Sequence, residues 1–175
     1  MKSFIRDTLL TIVLTVVIFV VVQATIQVSI VNGSSMQPHL QDGQRIIVNK
    51  ATYMLHEPER GDIVVFQPPL NVGVTPFIKR IIGLPGDTVE VKKGIVYING
   101  YPLDEPYIED APAYTLGKEQ VAGGSYFVLG DNRNNTSDSH IWGTIPQRNI
   151  IGKAWISVWP PETWGTAPNH NFEEY

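Results

Sequence analysis

Phe77–Asp87 reads FIKRIIGLPGD, an apolar run that holds two cations and ends in a Pro-Gly turn signal. A short apolar run bounded by turn residues is consistent with a buried β-strand. A strand here would hold Lys79 in apolar surroundings, with Phe77 and Ile78 before it and Ile81 after it. An exposed lysine titrates near pH 10.4, and burial can lower that pKa by roughly 3 to 5. Lys79 is therefore a candidate for a lysine that is neutral often enough to accept a proton.

A second segment, Gly33–Pro38, reads GSSMQP and offers a nucleophile for that base. A serine hydroxyl needs a base to remove its proton, and a desolvated lysine can replace histidine in this role. Taken alone, Ser35 is a turn serine that bonds to nearby backbone, and Lys79 is a solvated strand lysine. The presence of both residues favours a Ser/Lys catalytic dyad.

These segments are two of four blocks that together resemble type I signal peptidases, the membrane-bound serine endopeptidases that remove signal peptides from exported proteins. The blocks begin with Ser35–Pro38 and continue with Gly61–Phe66, Lys79–Asp87 and Gly130–Ser139. They stand in the family's order and span most of the chain after residue 33. The resemblance implies a mostly β domain of coiled antiparallel sheets preceded by one N-terminal transmembrane helix, with Ser35 as nucleophile and Lys79 as base.

The resemblance also implies supporting roles for Thr136, Asp138, Gly33 and Arg80. Thr136 stands where the family often has a serine whose hydroxyl binds the catalytic lysine, and Asp138 at a structurally important aspartate. The family often has an arginine where this chain has His140, so we expect Arg133 or Arg80 to replace it as the partner of Asp138. The density of Asn, Asp and Thr in this loop supplies side chains that could orient a buried amine.

Two features of the substrate site follow from the same resemblance. The family's oxyanion hole combines the nucleophile's N–H with a donor two residues earlier, which is Gly33 here, so the second donor is backbone, water or Ser34. Cleavage after small residues, the Ala-X-Ala pattern, requires two shallow apolar pockets beside an extended substrate. The candidates for the pockets, each with core packing as its alternative, are Val31, Met36, Leu40, Val65 and Ile78.

Composition agrees with a β body. Fifteen glycines and thirteen prolines lie between β-branched stretches. Asp87–Val91 and Ile95–Ile98 flank Lys92-Lys93-Gly94 as a hairpin would. Residues 100–124, acidic and without clean periodicity, predict an irregular excursion from the sheet, and the polar tail after Trp159 is expected to fray.

The absence of cysteine excludes a thiol nucleophile and a zinc-thiolate site. A net charge of −4 argues against nucleic acid as partner. No metal or organic cofactor is implied.

The N-terminus predicts a membrane anchor. No charge interrupts Thr8–Val22, and we expect the span to cover residues 8–28. Lys2 and Arg6 precede it, which predicts a cytoplasmic tail at residues 1–7 and an extracytoplasmic catalytic domain at residues 29–175. The expected partners are membrane lipid and the signal peptides of exported preproteins. A cleavable signal peptide is the alternative interpretation of this segment.

Three other functions compete with the peptidase. A histidine-based hydrolase would need one of His39, His56, His140 and His170, but no Gly-x-Ser-x-Gly elbow is present. A Ser/Lys self-cleaving repressor would need a DNA-binding domain, and it would have no use for a membrane anchor. An inactive relative that serves as a membrane-anchored binding module is separated from the enzyme only by an assay of turnover.

Overall fold

The computed structural model describes residues 2–69 and 75–172, and within them it is mostly β. Its helices are α1 (Lys2–Thr25), α2 (Thr52–Leu55) and α3 (Ser139–Trp142). Its strands are β1 (Ile26–Ile30), β2 (Arg45–Asn49), β3 (Ile63–Phe66), β4 (Phe77–Gly83), β5 (Thr88–Lys92), β6 (Ile95–Ile98), β7 (Tyr101–Pro102), β8 (Leu116–Gln120), β9 (Ser125–Leu129), β10 (Ile145–Pro146), β11 (Ile150–Trp159) and β12 (Gly165–Thr166). Single 3₁₀ turns cover Gln147–Asn149 and Pro161–Thr163.

The larger sheet carries the two predicted catalytic segments. Its strands lie in the order β1-β2-β11-β3-β4-β9-β10, with β12 paired to β11, and every pairing is antiparallel. Strand β4 is central and almost wholly buried, which agrees with the apolar run from Phe77. The register of β11 shifts at several points, and such bulges increase the twist and help a sheet to curl.

The smaller sheet, β7-β6-β5-β8, is inserted between β4 and β9. The predicted hairpin is confirmed as β5 and β6, and its turn residues Lys93 and Gly94 both have positive φ, as a two-residue turn of type I′ requires. Gly83 ends β4 where the two sheets meet. A Cβ at this position would lie 2.7 Å from Val89 and 2.9 Å from Phe127, so only glycine allows the sheets to approach this closely.

A hydrophobic cluster lies directly behind the candidate nucleophile. Val31, Met36 and Leu40, from the segment that carries Ser35, pack with Val65 and Ile78 in this cluster. Each fully buried side chain of this size contributes about 1.5–3 kcal/mol to folding. The turn around Ser35 is thus anchored on both sides by apolar residues, although Ser35 itself is polar.

Two expectations about irregular segments need correction. Part of the predicted excursion at residues 100–124 is strand β8, which pairs with β5, and Leu103, Tyr107 and Val121 are buried in the core of the small sheet. The alternation in β8 is weak because both of its faces are largely exposed, so periodicity gave no strand signal there.

The tail after Trp159 does not fray within the described residues. Residues 165–172, which we name the C-terminal strap, begin with β12 and pack against the large sheet. The side chain of Asn169 accepts from the backbone N–H of Ile63 at 2.7 Å and donates to the carbonyl of Ala154 at 3.1 Å. A polar segment docks here through hydrogen bonds, which hydropathy does not report.

Helix α1 is long and apolar enough to cross a membrane. Its segment Phe4–Thr25 has a mean hydropathy of 2.4 and is not buried against the rest of the protein. Its 24 residues rise about 36 Å, against a hydrocarbon core of about 30 Å. The helix begins before the predicted span of 8–28 and ends at Thr25, because Ile26–Ile30 pair with β2 as strand β1. The Nζ of Lys50, the residue that follows β2, donates to the carbonyl of Gln23 and ties the end of this strand to the end of the helix.

Candidate active site

The structure brings Ser35 and Lys79 together although they are 44 positions apart in sequence. Ser35 lies in the turn between β1 and β2, and Lys79 lies on β4. The Lys79 Nζ is 2.6 Å from the Ser35 Oγ and 3.1 Å from the carbonyl oxygen of Ile78, to which it donates. This is hydrogen-bonding distance between a candidate nucleophile and a candidate base.

Lys79 is in an environment that disfavours its charge. Its side chain is buried, and burial lowers its pKa from 10.5 to about 8, while the charges of Asp138 and Asp131 oppose the shift. Within the described residues no carboxylate lies within ion-pair distance of the Nζ. The ring of Phe77 lies 5.4 Å from it. Desolvation outweighs the distant charges, so a larger fraction of this amine is neutral near pH 8 than for any exposed lysine.

The loop from Gly130 to Asp138 holds the main chain around Ser35. The backbone N–H of Asn132 donates to the carbonyl of Ser35 at 3.0 Å, and its side-chain amide donates to the carbonyl of Ser34 at 3.2 Å. A Cβ at Gly130 would lie 2.5 Å from the Ser35 carbonyl oxygen, so glycine is required for this close approach. The peptide groups on both sides of Ser35 are therefore fixed.

Hydrogen bonds also define the turn before Ser35. Gly33 has φ of +80°, a conformation suited to glycine, and its N–H donates to Asp42 Oδ1 at 2.6 Å. The side-chain amide of Asn135 donates to Ser34 Oγ at 2.9 Å. In contrast, the N–H of Ser35 donates to no residue in the described part of the chain.

These residues lie at a cleft of about 590 Å³. Three of the predicted pocket residues, Val31, Met36 and Ile78, line it together with Phe77. Leu40 and Val65 do not line it and belong to the hydrophobic cluster behind it. All five residues belong to this hydrophobic cluster.

Thr136 also lines the cleft, but its predicted bond to the lysine is not formed in this arrangement. Its hydroxyl is buried and has no hydrogen-bond partner among residues 2–69 and 75–172. The Lys79 Nζ instead contacts Ser35 and the Ile78 carbonyl.

The prediction that Arg133 or Arg80 pairs with Asp138 was wrong. His140 itself occupies that role, since its Nδ1 lies 2.6 Å from Asp138 Oδ1 and its N–H donates to the same oxygen. The other carboxylate oxygen accepts from the N–H of Gly130 at 2.9 Å. Neither Arg133 nor Arg80 is free for the task, because each guanidinium is paired with a different carboxylate.

Arg80 faces away from the cleft and is fully buried. Its Nε and Nη2 donate to Asp131 at 2.8 and 2.7 Å. Its Nη1 donates to the carbonyls of Gly61 at 2.9 Å and Pro168 at 3.0 Å. The ring of Tyr107 covers the guanidinium at 4.1 Å. Arg80 thus joins β4 to the C-terminal strap and to the loop that holds Ser35.

The sequence did not single out Asn132, Asn135 or Phe77 as site residues. The two amides lie in the Gly130–Ser139 block, whose richness in hydrogen-bonding side chains was the available signal, but which amide contacts which atom depends on the folded loop. Among the described residues there is no group of three or more metal-binding side chains, and no histidine ring bonds to Ser35.

Comparison with known proteins gives the family. The family model described as "Signal peptidase, peptidase S26" matches residues 4–159. The chain belongs to this family. A probable signal peptidase I-1 of Synechocystis is 47% identical over 81% of this chain and 76% of its own length. The signal peptidase I of Leptolyngbya laminosa is 48% identical over 77% of this chain and 70% of its own length. Signal peptidase IB of Staphylococcus aureus is 35% identical over 81% of this chain and 80% of its own length.

A crystal structure of a signal peptidase I from Enterococcus faecalis is 33% identical, with a TM-score of 0.48 over 56% of this chain and 97% of that one. Membership confirms the resemblance carried by the four sequence blocks, and the enzyme is a serine peptidase of the signal-peptidase family. Helix α1 is consistent with membrane attachment.

Proposed function

We propose that this enzyme cleaves signal peptides from exported preproteins with Ser35 as nucleophile and Lys79 as general base. The observation that carries the proposal is the 2.6 Å contact between Lys79 Nζ and Ser35 Oγ, made by a buried lysine whose pKa is lowered to about 8. The neutral amine takes the proton of Ser35 as the hydroxyl oxygen attacks the scissile carbonyl. The same amine then activates the water that hydrolyses the acyl-enzyme.

The cleft supports a preference for small side chains before the scissile bond. Its apolar lining includes Val31, Met36 and Ile78, which are held in place because they also pack in the hydrophobic cluster behind it. We propose that an Ala-X-Ala substrate fits this lining in an extended conformation and that larger side chains at the first and third positions do not. Replacing the last alanine before the bond by leucine should then abolish cleavage of a model preprotein.

The dyad is tested by Ser35→Ala and Lys79→Ala in the detergent-solubilised protein, incubated with a preprotein whose products are weighed by mass spectrometry. Each substitution should reduce turnover by about 10⁴-fold or more, and the double variant should be no worse than either single one. Ser125→Ala and Lys118→Ala, both outside the cleft, are the controls. Turnover by Lys79→Ala near the wild-type rate would exclude lysine as the base. An inactive wild-type protein would favour the binding module.

We further propose that α1 anchors the enzyme with residues 1–7 in the cytoplasm and the body after β1 on the other side of the membrane. Lys2 and Arg6 are the cations that precede the apolar segment, and cations resist translocation. Protease added outside sealed vesicles of known orientation should reach the body only from the extracytoplasmic side. Cleavage of the body from the cytoplasmic side would overturn this orientation.

A further inference from the structure

An acyl transfer at Ser35 requires donors for the negative charge that develops on the scissile carbonyl oxygen. The N–H of Ser35 is one such donor, because it is not used by any described residue. Gly33, at the position where the family's second donor is expected, has no side chain. Its N–H is also committed to Asp42 at 2.6 Å. The second donor must therefore come from another group.

Ser34 has a hydroxyl proton that is available for this purpose. Ser34 lines the cleft, and its Oγ accepts a hydrogen bond from Asn135 Nδ2 at 2.9 Å. A hydroxyl has one proton to donate and two lone pairs. Asn135 occupies a lone pair, and within the described residues no acceptor takes the proton. The amide thus fixes the oxygen and leaves its O–H free to point into the cleft.

Covalent geometry places this hydroxyl beside the N–H of Ser35. Four bonds separate Ser34 Oγ from the nitrogen of Ser35, so the two lie roughly 3 to 4.5 Å apart in any rotamer. The carbonyls of Ser34 and Ser35 are both held by Asn132, which fixes the peptide plane between them. Two donors at this separation can contact one oxygen.

We propose that the Ser34 hydroxyl is the second donor of the oxyanion hole and that Asn135 is the positioning residue that aims it. The proposal rests on the dyad proposed above. As Ser35 Oγ bonds to the carbonyl carbon, its proton passes to the Lys79 Nζ and the carbonyl π electrons move to oxygen. That oxygen then accepts hydrogen bonds from Ser34 O–H and Ser35 N–H. The Ser34 proton stays on its oxygen throughout.

The test is the steady-state kinetics of Ser34→Ala, Ser34→Thr and Asn135→Ala on a model preprotein. Ser34→Ala should lower kcat by roughly 10²-fold with KM changed less than about threefold, since the donor acts on the transition state. Ser34→Thr keeps a hydroxyl and should retain most of the activity. Asn135→Ala should lower kcat by roughly 10-fold, and should have little further effect in a Ser34→Ala background because the two groups act as a unit.

Two readouts and a control separate this role from others. The midpoint of the pH–rate profile should be the same in Ser34→Ala as in the wild type, whereas a role in holding Lys79 would move it. The affinity for a peptide boronate, whose adduct with serine is tetrahedral, should fall along with kcat. Ser125→Ala, the matched control outside the cleft, should change none of these quantities.

An unchanged kcat in Ser34→Ala, while Ser35→Ala is inactive, would overturn the Ser34 assignment and leave the dyad intact. Activity in Ser35→Ala would instead overturn the dyad. If Ser34→Ala does not fold, Asn135→Ala, which changes an exposed side chain, gives the same readouts, and an unchanged kcat there overturns the positioning role.

Discussion

The two faces of strand β4 hold two buried cations in opposite ways. Lys79, on the cleft face, has a hydroxyl and a carbonyl oxygen as hydrogen-bonding partners and, among residues 2–69 and 75–172, no carboxylate. Arg80, the next residue and on the other face, has a bidentate carboxylate, two carbonyls and the ring of Tyr107. The alternation of a strand places adjacent residues on opposite faces.

The two faces of β4 are expected to serve different purposes, catalysis on the face of Lys79 and stability on the face of Arg80. A buried cation without a counter-ion loses free energy of hydration, and lysine can respond by releasing its proton. A guanidinium cannot, and that of Arg80 is retained in the interior because four of its five N–H donors have acceptors there. We therefore expect changes at Lys79 to alter turnover and its pH dependence, and changes at Arg80 to alter the free energy of unfolding.

The largest effect is expected for Lys79→Arg. The guanidinium keeps the charge and much of the length but stays protonated at any pH the protein tolerates, so it cannot accept the proton of Ser35. Turnover of a model preprotein should fall on the order of 10⁴-fold or more. Lys118→Arg, on the exposed part of β8, should retain full activity. Residual turnover above about one hundredth of the wild-type rate would contradict the role of Lys79 as the base.

The reciprocal change, Arg80→Lys, should act on stability. An ammonium cannot reproduce the bidentate contact with Asp131 and also reach the carbonyls of Gly61 and Pro168. We expect a loss on the order of 3 kcal/mol, measured by chemical denaturation in detergent. Arg148→Lys, at an exposed position, should change nothing. Equal stability of the Arg80→Lys variant and the wild type would mean that this face is not structural.

The change Lys79→Met should stabilise the protein at pH 7. The unfolded chain has the ordinary lysine pKa of 10.5 and the folded protein about 8, so between these values the unfolded state binds more protons. Stability of the wild type therefore rises with pH across this window, and below it the full cost of the buried charge is present. Replacing the amine should remove a cost on the order of 3 kcal/mol at pH 7, and the gain should shrink toward pH 10.5.

Thermal unfolding from pH 6 to 10.5 measures this gain. Lys118→Met is the control, since its exposed side chain is not subject to the same desolvation. A gain that grew with pH would contradict the lowered pKa of Lys79.

Because only the neutral amine of Lys79 can accept a proton, the rate of cleavage by the wild-type enzyme should rise with pH through an apparent pKa near 8.

The smallest of these effects is expected in the strap. Asn169→Ala leaves the buried N–H of Ile63 without its acceptor, which should cost about 1 to 2 kcal/mol in the free energy of unfolding. Because the strap contacts Arg80 and not Lys79, the midpoint of the pH–rate profile should stay where it is. Asn171→Ala, in the same strap but exposed, is the matched control. A shift of the midpoint in Asn169→Ala would show that the two faces of β4 are coupled.

Much of the fold and the pairing at the centre of the site could be predicted from the sequence. The apolar run around Lys79 predicted a buried strand, the hairpin at residues 87–98 was placed correctly, and the apolar N-terminus predicted the helix. Ser35 and Lys79 were identified as a pair before any distance between them was known. Strand β8 was missed because both of its faces are largely exposed, and the alternation that reveals a half-buried strand is absent there.

The sequence by itself determined the local quantities: which segments are apolar, where the chain turns, and which two residues have the chemistry of a nucleophile and a base. Only the tertiary structure decided the partners. Arg80 pairs with Asp131 and Asp138 with His140, although the sequence allowed either arginine to serve Asp138. The polar tail docks because Asn169 reaches Ile63, from which 106 residues separate it. Hydrophobic burial follows from local pattern, whereas a directional hydrogen bond forms only when folding brings one donor and one acceptor within about 3 Å.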